Sequence, residues 1–288
     1  MKLIARNNCP ICKSFSTQLI YKLSYKDSKI KNFLEIYYKN RLPLDLIAEY
    51  NYELIECNIC KFIFQKFIPD ESFSQQLYEK YISPDESLKK KENNIENIKK
   101  KYHNELNLIK KLFNFKNISV LEFGAGWGFW STEAKKAGFK IDCLELSKKR
   151  IDYMKNKGLK VISNIEKNYN KYDLIYSDQT FEHINNPKET LELLNLSLNK
   201  GGYILLNFPS AFGFKNKVKK NYYPQKDAAH PLEHLNLYNR SSMKFLIKNT
   251  NLKIINFRSF NFFKLKYLYK DIKNLLYFDS ILLKKLIK

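Results

Sequence analysis

The stretch Val120-Leu121-Glu122-Phe123-Gly124-Ala125-Gly126-Trp127-Gly128 constrains this chain more than any other. An apolar run ends beside an acid, three glycines alternate with single residues, and helix-compatible sequence follows. Such a run reads as a strand, a tight turn and a helix. Glycines in the turn leave bare backbone against which a ligand can lie. A second apolar run, Phe139 to Leu144, closes on Glu145. A carboxylate at the tip of the neighbouring parallel strand can accept both hydroxyl protons of a ribose. Loop and distal acid together imply a cofactor that contains a nucleoside.

The loop departs from the dinucleotide pattern G-x-G-x-x-G, because its third glycine comes one residue early and Glu122 stands just before it. A carboxylate there would repel a pyrophosphate and suits an ammonium group. The run Glu122 to Gly128 resembles the first motif of the class I S-adenosylmethionine-dependent methyltransferases. Further elements follow in order: a strand at Tyr172–Ser177, then Asp178 to Ile184, and a helix opening at Asn186-Pro187 with Leu191, Leu194 and Leu198 on one face. Gly201-Gly202 precedes a strand at Tyr203–Pro209. This layout is similar to the ubiquinone-biosynthesis type of methyltransferase.

The resemblance implies an α/β fold with a doubly wound, mostly parallel sheet, binding its ligand outside the carboxyl ends of the strands. Glu122, Glu145, Asp178, Glu182 and His183 fall at such ends. It also implies S-adenosylmethionine as cofactor. Glu122, Gly124, Gly126 and Gly128 would hold the methionine part, Glu145 the ribose, and Asp178 a nearby polar group. After the third strand the family offers an acid for the adenine amino group; here Asn164 or Glu166 stands in that region.

Cys9-Pro-Ile-Cys12 and Cys57-Asn-Ile-Cys60 form two C-x-x-C pairs, the ligand complement of a closed, structural zinc site. Disulfides or a redox pair are the other reading. Neither pair opens a helix after a buried strand, and no apolar leader at the N-terminus points to an oxidising compartment. Lys13 and Lys61 replace the glycine that usually follows each knuckle, and Cys143 reads as core. A small cysteine-rich module ahead of such a domain resembles the sugar C-methyltransferases, which act on nucleotide-linked deoxysugars, and related surface-glycan enzymes. Those sugar enzymes continue with a sizeable C-terminal domain. Here only a short tail follows the last recognisable strand, so the expectation is a truncated substrate module or a shorter relative with another acceptor.

The chain divides into a zinc-ribbon-like module at 1–68, a helical connection at 69–116, the methyltransferase domain at 117–260 and a basic, aromatic, helical tail at 261–288. In the connection, Ile95, Ile98, Tyr102, Leu106, Ile109, Leu112 and Phe113 share one face that would pack beside the first strand. Tyr78 lies in a segment that could cover the pocket, or simply join the modules. Leu282, Leu283 and Leu286 read as helix in the tail, which would cover the sheet, contact a second copy or rest on an anionic membrane surface. The seventh, antiparallel strand of the fold is not evident.

Ser210 to Asn239 is long for a connection and carries His230-Pro-Leu-Glu233-His234. Glu233-His234 resembles the Glu-His pair of the sugar C-methyltransferases, although Pro231 stands where their pattern has a tyrosine. His183, Glu233 and His234 are therefore the candidates for acceptor chemistry.

A formal charge of +22 invites a nucleic-acid reading. Only five of the 51 basic residues are arginine, and the lysines run from Lys2 to Lys288 without clustering. Abundant Lys, Asn and Ile fit compositional drift, whereas nucleic-acid sites favour Arg. The expected partner is a small-molecule or glycan acceptor. No apolar stretch approaches the length of a bilayer span, so a cytoplasmic location is expected. Three readings remain open: a methyltransferase on a saccharide or nucleotide-sugar, an RNA methyltransferase, and a non-catalytic protein that keeps the fold.

Overall fold

A computed structural model describes residues 2–255 and 278–286. Its centre is a seven-stranded sheet. Ser119–Phe123 (β6), Lys140–Leu144 (β7), Lys160–Ile162 (β8), Tyr172–Asp178 (β9) and Leu198–Pro209 (β10) lie parallel. Leu252–Ile255 (β12) and Phe278–Lys285 (β13) complete it, in the order β12-β13-β10-β9-β6-β7-β8. Helices Phe129–Lys136 (α5), Lys148–Asn156 (α6) and Pro187–Ser197 (α7) supply the crossovers. The doubly wound α/β fold expected from the sequence is present.

The strands carry this arrangement in their patterning. Val120, Leu121, Leu174, Ile175, Ile204 and Leu206 are buried. A parallel sheet covered on both faces needs such continuous apolar runs. α7 starts with Pro187 at its first turn, where a missing N–H costs nothing. It ends at Ser197, and the glycines Gly201-Gly202 fall inside β10, where the register to β9 breaks between Leu198 and Tyr203.

One expectation is overturned. Residues 278–285 form β13, which pairs antiparallel with both β10 and β12. Ile281, Leu282 and Leu283 are buried together. A strand enclosed on both faces has no alternation to show, so its apolar run is indistinguishable from a helix by periodicity. The remainder of the expected tail, 256–277, lies outside the described residues.

The N-terminal module is larger than a ribbon. Thr17–Ser24 (β2), Asn51–Cys57 (β3) and Ile63–Gln65 (β4) form an antiparallel sheet whose outer strand is Asn236–Leu237 (β11), from after the fifth parallel strand. Leu3–Ala5 (β1) pairs with Phe67–Pro69 (β5). Helix Ser28–Tyr38 (α1) buries Ile30, Leu34 and Tyr38 against this sheet and is capped by the Asp27 side chain. The same core takes in Ala211, Phe214, Tyr222, Ala229, Leu232 and Leu237. The long connection 210–239 thus belongs mostly to the N-terminal module.

Glu71–Gln76 (α2), a π-turn at Leu77–Tyr81, Pro84–Glu92 (α3) and Ile95–Leu112 (α4) join the two parts. Tyr102, Leu106 and Ile109 of α4 pack with Val120, Trp130 and Tyr176. Phe214–Lys219 (α8) and Arg240–Leu246 (α9) are the remaining α-helices of the described residues.

Candidate functional site

All three loop glycines adopt left-handed φ: 76° at Gly124, 56° at Gly126 and 67° at Gly128. Their surroundings differ. A Cβ at Gly124 would meet the Thr180 side chain at 2.2 Å, and one at Gly128 would meet Leu159 and Met154 at 2.6 and 2.7 Å. At Gly126 the nearest atom is the Lys91 ammonium at 3.9 Å. Two glycines therefore serve packing, and Gly126 leaves an open face.

Glu122 is buried near the end of β6 and accepts from the Ser131 backbone N–H at 3.1 Å and from its hydroxyl. Burial pushes its carboxyl up to about 8. Glu145 ends the β7 run. One oxygen accepts from the Gly126 N–H at 2.7 Å, the other from the Leu146 and Ser147 N–H groups, and Arg150 lies 3.9 Å away. Asp178, at the end of β9, meets Lys101 at 3.4 Å. Asn164 follows β8, exposed, with its carbonyl accepting from Asn168. Glu122, Glu145, Asn164 and Asp178 thus all stand on the edge of the sheet formed by the carboxyl ends of its parallel strands.

Helix α3 covers that edge. Ser87 meets the Trp127 indole N–H at 3.4 Å, and Asp85 pairs with Lys149 at 2.6 Å. The Lys91 ammonium is held down in pKa by burial, with Glu122 and Asp178 opposing that shift. A cation already occupies the field of these two acids.

The methyltransferase-domain family matches residues 95–256, more than half of the chain and the part that holds the glycine loop. The chain belongs to this family. The methyltransferase is 37% identical over 106 residues to malonyl-acyl-carrier-protein O-methyltransferase 2 of Ilyobacter polytropus, covering 33% of this chain and 40% of that protein. With O-methyltransferase 1 of the same organism it shares 30% over 154 residues, 49% of this chain and 54% of the relative. The chain thus spans about half or less of these curated relatives. Among solved structures, the plantazolicin methyltransferase BamL, in complex with a triazolic desmethylPZN analog and SAH, superposes with a TM-score of 0.55 at 16% identity, over 74% of this chain and 94% of that one. The plantazolicin methyltransferase BpumL gives a TM-score of 0.50 at 15% identity, with the same coverage. These likenesses establish the fold. It carries a class I S-adenosylmethionine-dependent methyltransferase domain. The open face at Gly126 and the buried acid Glu122 fit that cofactor.

A second group lies at the junction with the N-terminal module. Glu182 and His183 sit in a 3₁₀ turn, Phe181–His183, directly after β9. His234 packs its ring 5.0 Å from that of His183, and His230 lies 5.5 Å from His234. His183 Nδ1 meets the Tyr78 hydroxyl at 2.8 Å. His234 Nδ1 donates to the Asp227 carbonyl. Glu233 accepts from Tyr38 at 2.9 Å and from Tyr37 at 3.4 Å. Burial pushes Glu233 up to about 7 and His183 down to about 4, so the imidazole is neutral at pH 7. The candidates His183, Glu233 and His234 are thus brought together, although Glu233 faces α1 rather than either imidazole of that pair.

Residues of the N-terminal module fix this group, a role invisible to motif reading. The Gln65 amide donates to the carbonyls of His230 and His234, both at 2.9 Å, and accepts from the Leu232 N–H. Arg6 donates to the carbonyls of Gln65 and Leu235 and to the Asn236 side chain. Asn236 in turn donates to the carbonyls of Glu182 and Ile184. Tyr37 and Tyr38 had only an apolar helical spacing to announce them.

The four cysteines also meet. Cys9 and Cys60 sulfurs lie 3.5 Å apart, Cys12 and Cys57 3.4 Å, and all four fall within 4.8 Å of one another as free thiols. Lys13 and Lys61 take left-handed φ of 59° and 58°, where glycine usually serves. Each donates its N–H back to the first cysteine of its pair, which gives two matching knuckles. Among the described residues no helix is long and apolar enough to cross a membrane.

Proposed function

We propose that the methyltransferase acts on a small polar acceptor, a saccharide or nucleotide-linked sugar, held where the 3₁₀ turn after β9 meets the 230–238 segment. The observation that carries this reading is the convergence of His183, His230, His234, Glu182, Glu233 and three tyrosines beside the glycine loop; Thr180 touches Gly124 on one side and precedes this group on the other. A wall rich in hydroxyl, imidazole and carboxyl groups matches the many hydroxyls of a sugar and offers little to an alkyl chain.

When bound, S-adenosylmethionine supplies an electrophilic methyl carbon on a sulfonium. Glu122 and the Gly126 backbone hold its methionine part, Glu145 its ribose, Asp178 an adjacent polar group, and Asn164 the adenine side. His183 and His234 receive the acceptor and draw off its proton, and Glu233 braces the segment through Tyr37 and Tyr38. Transfer then depends on alignment and exclusion of water. The relatives named for malonyl-acyl-carrier-protein methylation suggest a carboxylate acceptor instead. A carboxylate has no proton to lose at neutral pH, and the histidine group would be idle.

The four cysteines are proposed to hold one structural zinc ion, their number and spacing filling a tetrahedral shell. Calorimetry with S-adenosylmethionine and methyl-transfer assays on a panel of nucleotide-sugars, with malonyl-acyl-carrier protein as comparison, test the functional reading. His234→Gln should bind cofactor as the wild type does and lose about 10²–10⁴-fold in turnover. Full turnover by this variant and by His183→Gln would remove the histidines from the chemistry.

A further inference from the structure

Glu182 stands out within the acceptor group. It is 1% exposed, and neither carboxylate oxygen has a hydrogen-bond partner among the described residues. A buried carboxylate without partners is among the costlier things a fold can hold, and native structures resolve it with a hydrogen bond, an ion pair or a metal. Among the described residues no lysine or arginine forms an ion pair with it; its near polar neighbour is His183 Nε2, at 3.8 Å. One ligand atom each from Glu182, His183 and His234 lies within 4.8 Å of the other two.

The imidazoles are held as ligands are. A carbonyl can only accept, so the Asp227 carbonyl fixes the proton of His234 on Nδ1 and leaves the Nε2 lone pair unprotonated. The Tyr78 hydroxyl, which can donate or accept, engages Nδ1 of His183 and leaves Nε2 on the side of Glu182. Histidines that bind metals have the second ring nitrogen engaged like this, which sets tautomer and ring orientation. The carrying backbone is also pinned: Gln65 binds the His234 carbonyl, and Asn236 binds the Glu182 carbonyl.

We propose that Glu182, His183 and His234 bind a divalent first-row transition cation, with coordination positions left open for an oxygen of the acceptor. Two imidazoles and one carboxylate suit Zn²⁺, Fe²⁺ or Mn²⁺, whereas Mg²⁺ prefers an all-oxygen shell. Three protein ligands with an open position distinguish a site that handles substrate from the closed cysteine set. The inference rests on the reading of this junction as the acceptor cleft. It assigns Glu182, which that reading leaves idle, and changes the role of the two histidines: their free ring nitrogens anchor a Lewis acid that acidifies the bound oxygen, and its proton passes to solvent rather than to either imidazole.

The test uses the whole protein, titrated with Co²⁺ after dialysis against metal-free buffer. One equivalent should develop the visible bands of cobalt in a nitrogen and oxygen shell, without the near-ultraviolet charge transfer that thiolate ligands give. Glu182→Gln and His234→Gln should abolish those bands while retaining cysteine-bound zinc and wild-type affinity for S-adenosylmethionine. Absence of the bands in the wild type, or their survival in both variants, would overturn the proposal; the wild-type spectrum decides even where a variant fails to fold. Methylation separates the two readings. If no metal binds yet His234→Gln still stops transfer, the acceptor cleft stands and the metal does not; full transfer by that variant defeats the cleft itself.

Discussion

Gly124, Gly126 and Gly128 look interchangeable in the sequence and carry different loads in the fold. Each left-handed φ makes a side chain costly by about 1 kcal/mol or more. At Gly124 and Gly128 an added methyl also strikes Thr180 or Met154 and Leu159, whereas at Gly126 it enters open space beside Lys91. Gly124→Ala and Gly128→Ala should therefore lower the thermal midpoint clearly. Gly126→Ala should lower it least and weaken cofactor binding most, which thermal melts with and without S-adenosylmethionine would separate. Glu122 and Glu105 make a second residue-scale expectation. Burial raises them to about 8 and about 7, so each charges more easily in the unfolded chain. Their contribution to stability is complete below the ordinary carboxylate pKa and is lost as pH rises through 7 and 8. Chemical denaturation should show stability falling over that range, and Glu122→Gln should flatten the fall by at most about 5 kcal/mol.

At the scale of elements, helix α3 lies over the glycine loop and places the Lys91 ammonium in the field of Glu122 and Asp178. Removing that charge in Lys91→Met should favour the sulfonium-bearing S-adenosylmethionine over uncharged-sulfur SAH, by about ten-fold in the ratio of affinities. An unchanged ratio would place Lys91 away from the cofactor. Elements also show what the chain discloses about itself. The glycine loop was legible because backbone that must turn left admits few residues, and β6, β7 and β9 because their apolar runs end at acids. β13 was not, since Ile281-Leu282-Leu283 is enclosed on both faces and shows no period. Glu182 passed as one more strand-end acid, because nothing local reveals that its neighbours leave it unpartnered. Tyr37 and Tyr38 carry no motif, and their hydroxyls acquire meaning only through Glu233, nearly two hundred residues away.

For the whole molecule, the joining of its two parts matters most. The cysteine group shares a core with Phe181, Phe208 and Tyr238 of the methyltransferase side, and Lys13 pairs with Glu189 of α7. Cys57→Ser should release zinc on metal analysis of protein purified without added metal. It should also loosen the acceptor junction, seen as faster amide exchange at 230–238, because Gln65 and Arg6 hang from the same ribbon. Zinc retained by the variant, or none in the wild type, would count against the cysteine site.

β11 closes the N-terminal sheet from position 236, and the core beneath it draws on Ala211, Phe214 and Leu232. A chain leaving the ribosome must therefore wait. All four cysteines have been translated by residue 60, yet the strand that finishes their module begins only at Asn236. Through that interval the ribbon exposes a hydrogen-bonding edge and part of its apolar lining, the state in which nascent chains are most prone to mispairing. Early metal capture would give the half-built module a rigid seed, and cells starved of zinc during synthesis should accumulate aggregated enzyme even when zinc is restored afterwards.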